Sequence, residues 1–375
     1  MQHASTSRPA HGIGAVKPEG WAYTRAPMIV YWELTTACGL ACRHCRATAM
    51  PDPAPGELST AQALALLDDI VGFSAPGEPL PHVVMTGGDP LRRPDLPLLI
   101  AEANARGIGV SLAPAVTQLL TRERIFWMKE AGVQAISLSL DGSTPALHDG
   151  VRMVPGTFDA TIEALDIAAE AGLAVQVNTL VTATTAADLP AIFELLSRHT
   201  LQQWSLFFLI SIGRGSELVE LSPGDAERTL LWAQRVGRDA GFRVKTTEAM
   251  HYRRLGASAL LRAGKTKEQV EAHPMARAFG IRDGNGIVFV SHLGDVTPSG
   301  FLPLTIGNVK DRSLVELYRD DPTMRALRDP DSFKGRCGRC EFRQWCGGSR
   351  ARAFAWTGDP LESDPLCPYQ PRPAS

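Results

Sequence analysis

No cysteine occurs between Cys45 and Cys337, a gap that takes up most of the 375-residue chain. No apolar run approaches the roughly 18 residues that mark a membrane-spanning helix. Residues 1–20, rich in His, Ser, Pro and Gly, lack the apolar core of a secretion signal. Charge of one sign is missing as well: 38 Lys and Arg against 40 Asp and Glu leave a net charge of −2. A dedicated nucleic-acid binder would carry a basic excess, so that class is set aside. With 44% hydrophobic and 21% charged residues, the composition is that of a folded protein rather than a disordered one. The expectation is a cytoplasmic protein with a large core and no membrane or nucleic-acid partner. At roughly 150 residues per domain, two or three domains are expected.

The cysteines that are present fall into two sets. Cys38, Cys42 and Cys45 lie close together, and Cys337, Cys340, Cys346 and Cys367 lie near the C-terminus. An odd count without a secretion signal argues against a disulfide framework, and clustered thiols in a reducing compartment read as soft-metal ligands. Around the first set the chain alternates apolar strands with helical segments. The strands are expected at Met28–Leu34, His82–Thr86, Ile108–Leu112, Ala135–Leu140, Ala174–Leu180 and Trp204–Ile210. Each is rich in Val, Ile, Leu or aromatics and bounded by turn residues, as buried parallel strands are. Ser59 with Gln62 has the pattern of a capping box opening the first helix. Six βα repeats imply right-handed crossovers and either a barrel or an open doubly wound sheet. Residues 246–282 read as a basic, irregular linker. A hairpin around Leu293–Gly294 and a helix over Ser313–Leu327 lead into the cysteine-rich tail.

Cys38-Gly-Leu-Ala-Cys42-Arg-His-Cys45 is a C-x3-C-x2-C triplet directly after the first strand. Three thiolates can hold three irons of a [4Fe–4S] cube and leave the fourth iron open, and an open position separates a catalytic metal site from a structural one. A zinc site with His44 as fourth ligand is the alternative. The triplet resembles the signature of the radical S-adenosylmethionine (SAM) enzymes. That resemblance implies a partial (β/α)6 TIM-like barrel over residues 28–245, preceded by a 1–27 extension. It also implies SAM as cosubstrate, a catalytic [4Fe–4S] cluster held by the three cysteines, and a flavodoxin or ferredoxin as reductant. In this family the reduced cluster cleaves SAM to a 5′-deoxyadenosyl radical, which abstracts hydrogen from the substrate. Gly87-Gly88-Asp89-Pro90, after the second strand, resembles the family's Gly-Gly-Glu turn, which contacts the SAM amino group. Ser139 and Asp141 on the fourth strand, Arg152 beyond it and Asn178 on the fifth resemble further SAM contacts. Active sites of such barrels form at the C-terminal strand ends.

Cys337-Gly-Arg-Cys340-x5-Cys346, with Cys367 beyond, resembles the SPASM/Twitch extension of radical SAM proteins. The complete SPASM pattern has two more cysteines, where this chain has Ser299 and Arg350. The resemblance therefore implies one auxiliary [4Fe–4S] cluster in a small α+β module over residues 283–375, with a four-cysteine zinc site as the alternative. Glu33 lies on the barrel-lining face of the first strand, and a buried carboxylate there needs a substrate, a cation or a loop as partner. It is carried forward as a catalytic candidate. Arg43, Arg46, Lys245, His251, Arg253 and Arg254 are candidates for holding substrate carboxylates. The tail resembles radical SAM/SPASM proteins of tetrapyrrole side-chain modification, and radical decarboxylases of sugar-nucleoside uronates share the triplet. The expected reaction is decarboxylation of a carboxylate-bearing small molecule. The alternatives are maturation of a ribosomal peptide and radical dehydrogenation of a small-molecule alcohol. A separate leader-binding domain would not fit in the 27 residues before the first strand.

Overall fold

In the computed structural model, which describes residues 21–371, seven parallel strands follow one another in chain order. They are β1 (Ile29–Glu33), β2 (His82–Thr86), β3 (Val110–Leu112), β4 (Ala135–Ser139), β5 (Ala174–Val181), β6 (Gln203–Phe208) and β7 (Arg243–Thr247). A doubly wound sheet reverses strand order at a switch point. Here the order never reverses, so the sheet is a partial barrel, as the resemblance implied. Helices fill the crossovers. The first, Thr60–Val71, opens on the expected capping box, in which Ser59 and Gln62 satisfy each other's backbone N–H groups.

Four expectations need correction. The barrel has a seventh strand, β7, whose sequence Arg-Val-Lys-Thr-Thr carries charge at alternate positions because it forms one edge of the sheet. Residues 246–282 are not irregular. They contain the helices His251–Arg262 and Lys267–Glu271, and the first of these buries His251 and Arg254, which hides its apolar stripe from a periodicity reading. The helix expected over Ser313–Leu327 is two helices, Leu314–Asp320 and Pro322–Arg328. It breaks at Asp321, which precedes proline and caps the second helix through Thr323 N and Met324 N. Finally, the C-terminal hairpin does not make a sheet of its own. β8 (Ile287–Val290) pairs in parallel with β1, and β9 (Asp295–Thr297) and β10 (Gly307–Asn308) continue outward from it in antiparallel fashion. The result is one ten-stranded sheet.

The barrel interior and its helical jacket form one apolar core in which Trp32 and Trp204 are completely buried. Trp204 stacks edge-on with Trp232 and donates its indole N–H to Thr179 Oγ1 at 2.8 Å, so its polar end is satisfied inside the core. Among the described residues no helix is long and apolar enough to cross a membrane.

Candidate active site

The loop after β1 carries the cysteine triplet over the C-terminal mouth of the barrel, at one end of a cavity of about 250 Å³. The loop is held from several sides. Glu57 accepts from Thr36 N and the Thr35 hydroxyl, both at 2.9 Å, and Met50 O accepts from Cys38 N at 2.7 Å. All three sulfurs receive a donor: Leu40 N to Cys38 Sγ at 3.4 Å, Ala49 N to Cys45 Sγ at 3.4 Å, and Arg152 Nη1 to Cys42 Sγ at 3.5 Å. Leu40, Ala49, Ala115 and Val154 pack around them as an apolar shell. N–H donors on sulfur and low water access are what cluster-bearing thiolates require. Burial pushes the metal-free Cys38 thiol up to about 11, so iron would take the place of a proton there. The donor set fits a three-cysteine cluster. Among the described residues no three His, Cys, Asp or Glu side chains are grouped as ligands of a single metal ion.

Gly87 and Gly88 line the cavity, and their close approach is to the chain itself. A Cβ on Gly87 would lie 2.4 Å from Thr35 O, and one on Gly88 would lie 2.4 Å from Ala37 O. These two glycines press the turn after β2 against the base of the cysteine loop. Asp89 turns away from the cavity. Its carboxylate accepts from Leu91 N at 3.1 Å and Thr117 Oγ1 at 3.0 Å and caps the short turn that begins at buried Pro90. Asp89 and Pro90 do not border the cavity and shape the turn beneath it. Asp is the residue type that caps its own following turn, which accounts for its place here.

Ser139, Asp141, Arg152 and Asn178 all line the cavity, as expected. Asp141 is ion-paired with Arg152 at 2.5 Å and accepts from Leu180 N at 2.8 Å. Burial raises its pKa, but Arg152, His44, His148 and the Leu180 N–H together outweigh burial and hold the carboxyl below its ordinary value. Arg152, which borders the cavity, has its Nε buried with no hydrogen-bond partner, an open donor. His44 also lines the cavity. Burial, reinforced by Arg152 and Arg214 against the pull of Asp141, pushes its pKa down to about 4.

Glu33, the catalytic candidate, does not line the cavity. Its carboxylate is closed off by Arg46 at 2.8 Å and His292 Nδ1 at 2.6 Å, so β1, the cysteine loop and the C-terminal hairpin meet at this one group. Burial raises its pKa, yet the His292 hydrogen bond and the Arg46 charge win and hold it below the ordinary value. A depressed carboxylate pKa contributes stability above the unfolded value of about 4.3. That contribution is lost as pH falls through the lower folded value. Glu33→Gln is expected to cost about 1–3 kcal/mol at pH 7. It should also remove part of the acid limb, as denaturant midpoints at pH 7 and pH 4 will read; equal acid sensitivity of both proteins would refute the assignment.

The other candidate cations divide. Arg46 lines the cavity but is neutralised by Glu33, and Arg43 donates to Met153 Sδ. Arg253 donates to Ile281 O, and Arg254 pairs with Glu227 at 2.8 Å. Lys245 is buried, which lowers its pKa to about 8, and neither it nor His251 borders the cavity. Arg214, in the turn after β6, does border it and escaped the sequence reading. The only signal was a basic residue between two glycines just past an expected strand.

Cys337, Cys340, Cys346 and Cys367 converge on a second, much smaller pocket of about 30 Å³. Arg350 Nη2 and Asp364 N each reach Cys337 Sγ at 3.5 Å. Ser299 and Arg350, which stand where the SPASM pattern has its further cysteines, are joined by buried Asp283. Its carboxylate accepts from the Ser299 hydroxyl and, at 3.0 Å, from Arg350 N. A hydrogen-bonded carboxylate thus links these two positions. From the same tail, Arg352 runs back to the barrel, donating to Glu248 O at 2.6 Å and to Leu209 O, on the cavity wall, at 2.8 Å.

Residues 32–196 match the model of the radical SAM superfamily. The chain is 36% identical over 355 residues to the AdoMet-dependent heme synthase of Methanosarcina barkeri, covering 93% of this chain and 99% of that protein. It is 31% identical over 352 residues to the mycofactocin maturase MftC of Mycobacterium tuberculosis, covering 91% of this chain and 83% of the relative. In fold it is similar to Streptococcus suis SuiB bound to S-adenosylmethionine, with a TM-score of 0.69 at 16% identity over 92% of this chain and 78% of that one.

Proposed function

The chain belongs to the radical SAM superfamily, and on that premise we propose that it decarboxylates propionate side chains of a tetrapyrrole in haem formation. The observation that carries this reading is the end-to-end likeness to a heme synthase, which spans both cysteine sets and the strands between them. Cys38, Cys42 and Cys45 would hold the catalytic cluster. The Gly87–Gly88 turn, Ser139, Asn178 and the open Nε of Arg152 would hold SAM, and Asp141 would keep the Arg152 side chain in place. SAM and the reduced cluster, when bound, supply a radical able to abstract a hydrogen atom. For a –CH2–CH2–COO⁻ side chain, loss of one hydrogen atom, carbon dioxide and one electron leaves a vinyl group. The electron needs an acceptor outside the substrate. Cys337, Cys340, Cys346 and Cys367 would hold an auxiliary [4Fe–4S] cluster capable of one-electron chemistry. The cavity walls keep water from the reacting carbon: Leu180, Phe207, Leu209 and Ile210 face it beside the cysteine loop. A flavodoxin or ferredoxin would deliver the priming electron.

A second reading, peptide maturation, is favoured by the 31% identity to MftC. One assay separates the two. The anaerobically reconstituted, reduced enzyme is given SAM with iron-coproporphyrin III, with a sugar-nucleoside uronate, or with a small peptide encoded beside the gene. Carbon dioxide and 5′-deoxyadenosine rising together on the porphyrin are expected. The same pair on the uronate alone would move the substrate class, and 5′-deoxyadenosine on the peptide without carbon dioxide would replace the proposal with maturation.

A further inference from the structure

Arg214 differs from every other arginine that faces the main cavity. Arg46 is neutralised by Glu33 and Arg152 by Asp141, whereas Arg214 has no ion pair among the described residues. Its Nε and Nη2 atoms are buried and donate to nothing. Arg214 as a whole is half-buried, but leaving these two guanidinium N–H groups buried without an acceptor is costly, and an anion would complete them. The side chain is also held in place by its backbone. Arg214 N donates to Cys45 O at 3.2 Å, and Gly213 lies so near the cysteine loop that a Cβ there would stand 2.8 Å from both Cys45 O and Arg46 O. The backbone that carries the fork is therefore fixed against the cysteine loop, where the radical would arise. The same cavity also carries an aromatic pair, Phe207 and Phe301, at 6.3 Å between ring centroids. Arg152 already offers an open donor for the carboxylate of SAM, so a second open fork in a cavity that also carries two aromatic rings suits a different anion on a flat, apolar body.

We propose that Arg214 is a specificity-determining residue that binds a carboxylate of the substrate and so orients the neighbouring carbon toward the cysteine loop. The assignment rests on the tetrapyrrole reading and names the residue that would read the propionate.

The test compares binding of iron-coproporphyrin III and of its methyl ester to the reconstituted enzyme, followed by the porphyrin absorption band, together with SAM affinity measured separately. The wild type is expected to prefer the free acid by about 10- to 100-fold, the range for hydrogen bonds to a charged group. In Arg214→Met that preference is expected to fall below about 3-fold, with a smaller change for SAM. Arg214→Lys, which keeps the charge but not the fork, is expected to restore part of it. It also guards against a folding defect in the Met variant. If Arg214→Met retains the acid preference, or loses SAM affinity by the same factor, the assignment is overturned while the tetrapyrrole reading stands. If the wild type binds neither porphyrin, the tetrapyrrole reading fails and this assignment with it.

Discussion

Cys42→Ala is expected to abolish 5′-deoxyadenosine formation and to cut iron from about eight to about four atoms per reconstituted chain. The substitution takes a ligand from a cluster that has only three, and it strips Arg152 Nη1 of the sulfur it reaches at 3.5 Å. The iron that remains should belong to the four C-terminal cysteines, which share a pocket of their own with none of the triplet. Iron counting with cluster spectroscopy on the variant therefore reads both sites at once. SAM cleavage that survived would show that Cys42 is not a ligand. Iron falling to nothing would mean that the tail holds no cluster independently.

The largest effect on stability is expected at Arg352, whose side chain is 1% exposed. It pairs with Glu220 at 2.8 Å and donates to Glu248 O and Leu209 O. Arg352→Met leaves Glu220 with only the Ser211 hydroxyl, takes a cation from Asp364 at 3.6 Å and leaves two carbonyls without donors, and breaking a buried pair from one side costs about 3–5 kcal/mol. Arg325 provides the contrast, since its pair with Asp320 is 63% and 57% exposed. Arg325→Met should cost no more than about 1 kcal/mol. Thermal unfolding of the two variants side by side decides the matter: near-equal losses would mean that Arg352 does not fasten the tail to the barrel.

What could be read from the sequence followed physical type. Strands buried on both faces declare themselves, and His82–Thr86 has the expected ends because the apolar run Val83–Met85 sits between His82 and Thr86. The cysteine loops were legible because thiolate spacing carries its own chemistry. Edge and interface elements were not. β7 is polar because one side has no neighbour, and the helix His251–Arg262 turns cationic residues inward to meet acids from distant segments, such as Glu227 on Arg254. Glu33 and Asp89 lay where the pattern put them, at strand ends by the cavity. Which way each carboxylate points was set by partners far along the chain, His292 for one and Thr117 for the other. Arg214 was missed for the opposite reason: its significance is the lack of a partner, which no local sequence pattern reveals.

The pairing of β8 with β1 also sets an order of events during synthesis. β1 is made well before β8, and its outer edge stays uncovered until Ile287–Val290 has left the ribosome. Until then β1 is an exposed apolar edge, a template for wrong pairing. His292, which fixes Glu33 and through it Arg46 beside the triplet, arrives with the same late segment. One of the contacts that brace the N-terminal cysteine loop is therefore completed only when translation is well advanced, after Glu57, Met50 and the Gly87–Gly88 turn are already in place.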